Sequence, residues 1–100
     1  MATKKRIRMP ANWAPPPKRI RLHIENVREM DLVYKITQDR YDATAARHKR
    51  LARRIDATVA EDTKRFDNAI ADADVLVGWR FNRENLAERA PNLKWIHLTG

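Results

Sequence analysis

The sequence predicts an α/β domain built on a parallel sheet. Three observations point there. Short apolar strand patterns alternate with helical stretches along the chain, an order that favours parallel strands joined by helices. One strand, Val75-Leu76-Val77-Gly78, is apolar at successive positions and so reads as covered on both faces, as parallel strands are. At 100 residues the chain is long enough for one small domain, with 43% hydrophobic and 34% charged residues, a globular rather than a disordered composition.

Taken in order, Ile20, Leu22 and Ile24 alternate with Arg21, His23 and Glu25, which predicts a strand with its apolar phase inward and His23 on its polar phase. Val27–Ile36 is a poorly periodic connection. Thr37 is placed to cap a helix starting near Gln38, with Asp39 and Asp42 in its first turns and an apolar stripe of Tyr41, Ala45, His48, Ala52 and Ile55. Ala57–Val59 is a candidate short strand. Asp62 or Thr63 is expected to cap a second helix that turns Phe66, Ala69, Ile70 and Ala73 toward the core. After the apolar strand, Asn82 is expected to cap a third helix, Arg83–Ala90, with Phe81 and Leu86 as a hydrophobic staple and Pro91 as its stop. Lys94–Leu98 reads as a fourth strand. About four strands and three helices leave one face and one edge of such a sheet short of cover, so the expected fold is an incomplete one.

The net charge of +8 is unevenly distributed. Residues 1–21 carry seven Lys or Arg and no acid, while the remaining 79 carry 14 against 13 Asp or Glu. Met9-Pro10 and Pro15-Pro16-Pro17 forbid a continuous helix in the leader. The division expected is a basic, disordered arm over 1–17 and a domain over 18–100. Cysteine is absent, which excludes disulfides, thiolate metal sites and a cysteine nucleophile. No membrane-length apolar run and no apolar signal core are present, so a cytoplasmic protein without membrane contact is expected. Two glycines, Gly78 and Gly100, cannot furnish a G-x-G-x-x-G or P-loop cradle.

The chemistry-bearing residues are read conservatively. None of His23, His48 and His97 has a carboxylate at an orienting spacing, and all three are expected to be structural, with no metal site. Arg47-His48-Lys49-Arg50-Leu51-Ala52-Arg53-Arg54 has the density of a phosphate-binding row. Flanking Asp39, Asp42 and Asp56 and the lack of interleaved aromatics favour a solvated face. Nucleic acid is therefore not the expected partner; the alternative is a small basic module that binds it through the N-terminal arm. Asp72 and Asp74 fall at the amino end of the sheet, away from where ligands of such sheets bind. A receiver-type domain is set aside because Ile24-Glu25-Asn26 lacks the clustered acids it needs.

The segment Ala71-Asp72-Ala73-Asp74-Val75-Leu76-Val77-Gly78-Trp79, followed by Leu86-Ala87-Glu88-Arg89-Ala90-Pro91-Asn92-Leu93-Lys94-Trp95-Ile96-His97-Leu98-Thr99-Gly100, resembles the N-terminal part of the catalytic domain of D-isomer-specific 2-hydroxyacid dehydrogenases. The similarity is to the glyoxylate/hydroxypyruvate reductase-like subgroup. It covers residues 19–100 and is strongest over 68–100. The resemblance implies a flavodoxin-like fold with helices on both faces. It implies an enzyme that uses NAD or NADP to reduce a small 2-keto acid and that forms a homodimer when complete. The family's catalytic Arg, Glu and His and its glycine fingerprint lie beyond residue 100 in its pattern, so no catalytic or cofactor-binding residue carries over and the chain alone is expected to be inactive. What the resemblance does place here are loops facing the substrate carboxylate: Gly78, Trp79, Arg80, Thr99 and Gly100.

Overall fold

The computed structural model describes residues 19–61 and 63–99. The proposed arm over 1–17, Asp62 as a helix cap, and Gly100 lie outside the described residues. Four strands, β1 (Ile20–Glu25), β2 (Ile55–Ala60), β3 (Val75–Gly78) and β4 (Trp95–Leu98), form one sheet in the order β2-β1-β3-β4. Every neighbouring pair is parallel. This is the strand order of the first four strands of a flavodoxin-like doubly wound sheet, and its direction of winding reverses between β1 and β3.

The connections are helical. After β1 a loop with a 3₁₀ turn at Leu32–Tyr34 leads to α1 (Gln38–Arg47) and α2 (Lys49–Ala52). The Thr37 side chain accepts the Arg40 N–H, which makes Thr37 the cap of α1 that the sequence predicts. The helix does not run on to Ile55, however. His48 leaves helical geometry (φ −131°, ψ 50°), and α2 restarts after it. Ile55 then begins β2, two residues earlier than the expected start at Ala57. Its pairing with Ile20 and the bond from Ile20 N–H to the Arg54 carbonyl (2.6 Å) outweigh the weak helical preference of this stretch.

A 3₁₀ turn at Thr63–Arg65 runs into α3 (Phe66–Ile70). The last helix, α4 (Leu86–Arg89), is half the expected length. The Asn82 carboxamide accepts the Glu84 N–H (3.0 Å), but as a local turn, and Asn85 adopts a left-handed conformation (φ 50°) that excludes an earlier start. The Arg89 guanidinium satisfies the carbonyls left free, those of Asn82 (2.9 Å) and Glu84 (2.8 Å).

The core joins Phe66, Ile70, Leu76 and Ala90, with Phe81, Leu86 and Leu93 packed against it. In-register residues of a parallel sheet share a face, so His23, Thr58 and Leu76 lie together on one side of it. This corrects the placement of His23 on a solvent-facing phase. His23 is 1% exposed and meets the Phe66 ring edge-on at 6.0 Å, while Ile24, on the opposite face, is 3% exposed. The middle strand β1 is thus covered on both faces. β4, at the sheet edge, is exposed along its whole length.

Candidate functional site

The carboxyl ends of the strands form one rim. There Thr99 N–H donates to the Gly78 carbonyl (2.9 Å) and Asn26 N–H to that of Ala60 (2.7 Å), so the tips of all four strands are tied side by side. Trp79 and Arg80 follow β3 on this rim, and Thr99 follows β4. Sequence-predicted Gly78, Trp79, Arg80 and Thr99 are therefore neighbours. The Arg80 guanidinium lies over the Trp79 ring, 4.6 Å from its centroid, and Arg83 Nη2 donates to the Trp79 carbonyl (3.3 Å).

Where the strand order reverses, between β1 and β3, a crevice of about 460 Å³ opens on this rim. Arg80 forms part of its wall, together with Asn26, Arg28, Glu29, Glu61 and Lys64. The loop that carries Arg28 is firmly built. The Asn26 carboxamide donates to the Ile36 carbonyl (2.8 Å) and accepts its N–H (2.9 Å), closing the loop at its base. Lys35 Nζ donates to the Arg28 carbonyl (2.8 Å) and to Glu61 Oε2 (3.0 Å), so one of the two acids on the wall is neutralised. Arg28 and Arg80 on this wall favour an anionic ligand.

Gly78 serves packing. A Cβ there would stand 3.2 Å from the Glu25 carbonyl oxygen and 3.3 Å from the Phe81 ring. Its small size brings β1 and the Phe81 loop close together.

The sequence missed the buried polar chain beneath the rim. His23 Nε2 donates to Glu25 Oε1 (2.8 Å), and His23 Nδ1 lies 2.6 Å from the Thr58 hydroxyl. Residues i and i+2 of a strand share a face, which is the signal that pairs His23 with Glu25; spacing had suggested no carboxylate partner. Glu25 Oε2 has no protein partner. Both side chains are 1% exposed, so the pair anchors β1 in the interior. Of the other histidines, His48 ends α1 on the surface and His97 is exposed on β4.

The opposite, amino end is held by ion pairs. Burial acts to raise the Asp74 carboxyl, but the Arg21 backbone N–H (2.9 Å), the Lys94 ammonium (3.0 Å) and the charges of Lys94 and Arg21 together hold it below the usual aspartate range. A hydrogen bond from Arg19 lowers Asp56 in the same way. Asp72 faces Arg21 at 3.7 Å. Neither Asp72 nor Asp74 lies at the ligand-binding end. Among the described residues no group of three or more His, Asp or Glu side chains is placed to hold a metal, and no helix is long and apolar enough to cross a membrane.

No known protein family, no curated protein and no solved structure matches this chain. What the fold defines is a parallel α/β domain with a cationic crevice at its switch point.

Proposed function

We propose that this chain is the substrate-holding part of the catalytic domain of an NAD(P)-dependent D-2-hydroxyacid dehydrogenase acting on small 2-keto acids such as glyoxylate or hydroxypyruvate. The observation that supports the reading is that Arg80, held over Trp79 at the tip of β3 and next to the β4 tip, forms part of the crevice wall.

Arg80 takes the substrate carboxylate through its planar, two-pronged guanidinium. Trp79 holds that guanidinium with its ring and bounds the space left for the substrate's other end. Fixing the carboxylate fixes which face of the ketone is presented, an orientational contribution to catalysis. The described residues do not fit a dinucleotide. The crevice wall has no glycine, and the space above Gly78 is filled by Glu25 and Phe81. In this reading the nicotinamide and the proton donor belong to other residues of the enzyme.

The test is titration of the chain with glyoxylate and with its unreactive analogue oxamate, followed by tryptophan fluorescence. Saturable quenching is expected, weakened at least tenfold in Arg80→Gln. NADH should not be consumed with glyoxylate by this chain alone. Quenching unchanged by Arg80→Gln, or turnover by the 100 residues, overturns the assignment.

A further inference from the structure

The strongest charge on the molecule lies at the end of the sheet away from the crevice. Arg47, Lys49, Arg50, Arg53 and Arg54 occupy the end of α1, α2 and the turn into β2, and every one is exposed. None of the five makes an ion pair among the described residues.

The acids that made this row look like an ordinary solvated face do not screen it. Asp39 and Asp42 sit near the start of α1, about 12 Å and 8 Å along the helix axis from Arg47, comparable to or beyond the Debye length at physiological salt. The Gln38 carboxamide bonds Asp42 (2.9 Å). Asp56 is taken by Arg19.

The structure also brings the two basic parts of the sequence to one place. Ile20 N–H donates to the Arg54 carbonyl (2.6 Å), and Arg19 Nη1 donates to the Arg53 carbonyl (3.0 Å). Arg19, the first described residue of the chain, thus lies directly against the turn that follows α2. Arg19 and Arg53, 34 residues apart in sequence, therefore meet at the amino end of the sheet.

We infer that this amino-end face binds the phosphodiester backbone of nucleic acid, without reading its sequence. Four of the five cations are arginines, whose guanidinium matches a phosphate with two parallel hydrogen bonds. The five cations fall within eight consecutive residues of exposed surface, at the end of α1, on α2 and in the turn into β2. Leu51 is the one large exposed apolar side chain among them, too little for insertion into a lipid surface. No aromatic side chain lies among the five cations, so the face has no platform for base stacking. The inference is independent of the dehydrogenase reading, because the surface is at the other end of the strands.

The test uses the full 100-residue chain and fluorescein-labelled 20-mers of arbitrary sequence, single- and double-stranded, followed by anisotropy. Binding at 50 mM salt is expected to weaken about 500-fold by 200 mM for duplex if five phosphates are neutralised. Two 20-mers of unrelated sequence should bind within threefold of each other. Replacing Arg50, Arg53 and Arg54 together by Gln should weaken binding at least thirtyfold. Removing the same number of charges at the carboxyl end, by Arg28→Gln, Arg65→Gln and Arg83→Gln, should weaken it less than fivefold. Circular dichroism checks that both variants keep the fold. Equal losses in the two triple variants would mean that net charge alone is read, and the face is then not the site. No binding at 50 mM salt overturns the inference. So does tighter binding to phosphatidylserine vesicles than to the oligonucleotides, which would make the face lipid-directed.

Discussion

β1 and β4 invert the usual relation between hydropathy and burial. The side chains of His23 and Glu25 on β1 are 1% exposed, whereas Trp95 on β4 is 65% exposed and Leu98 49%. Burial here follows position in the sheet. β1 lies between two paired neighbours and under α3, so His23, Ile24 and Glu25 in its carboxyl half are enclosed whatever their polarity. Among the described residues β4 is paired on one edge only and carries apolar side chains that are left exposed. The comparison teaches that a central strand encloses polar side chains when they bond one another, as His23 does with Glu25 and Thr58, even though Glu25 Oε2 is left without a protein partner.

The sharpest way to break that contrast is to remove one member of the pair. His23→Ala leaves the Glu25 carboxylate buried without a partner and should cost about 3–5 kcal/mol, enough to unfold a small domain. Urea denaturation followed by circular dichroism reads it. The double change His23→Phe with Glu25→Leu, which fills the space with apolar volume, should restore cooperative folding. If His23→Ala costs less than about 1 kcal/mol, the pair is not what anchors β1. Next in size, Ile24→Ala on the other face of β1 should cost about 2–4 kcal/mol through the cavity it opens.

Gly78→Ala probes how closely β1 and β3 approach. A Cβ pressed on the Glu25 carbonyl, which is backbone and has little room to give, should cost about 1–3 kcal/mol. A neutral result would show that the Phe81 loop moves aside.

Asp74 separates the amino end from the middle of the sheet by pH. Because its folded carboxyl is held below its ordinary value, its contribution is complete above about pH 3.9 and is lost as the pH falls through the lower folded value. Asp74→Asn should therefore cost about 1 kcal/mol at neutral pH and progressively less toward pH 2, measured as the shift in urea midpoint. A difference that does not change with pH would mean that the charge of Asp74 contributes nothing. The smallest effect belongs to the edge strand. Ile96→Ala should change stability by less than about 0.5 kcal/mol, since the side chain is already 39% exposed. A cost matching that of Ile24→Ala would show that β4 is covered in solution.

Much of the fold was legible in local pattern. The βα alternation, the Thr37 cap, the inward Phe66, Ile70 and Ala73, and the β3 strand follow from periodicity and capping chemistry, which depend on residues close in sequence. What misled was the period-2 pattern of β1. It is correct about which residues share a face but says nothing of how many faces are covered. The same blindness hid the His23–Glu25 bond. The end of α1 at His48 and the early start of β2 were equally hidden, because a backbone bond from Ile20 to Arg54 competes there with helical continuation.

The candidate site divides the same way. Trp79, Arg80 and Thr99 were marked by a resemblance in sequence, and that they share a rim follows once the strands are parallel. Arg28, Lys64 and the Asn26 clasp on Ile36 were not marked. Arg28 and the Asn26 clasp lie on the connection after β1 and Lys64 on that after β2, and they meet only because those two strands pair in parallel.

By itself the sequence determined the alternation of elements, their inward residues and the excess of positive charge in the leader, since each is set by neighbours within a few turns of chain. Only the tertiary structure decided that His23, Ile24 and Glu25 of β1 are buried and β4 bare, and that Arg19 lies against the turn after α2. Those outcomes depend on which strand lies beside which, a choice made by contacts between residues tens of positions apart.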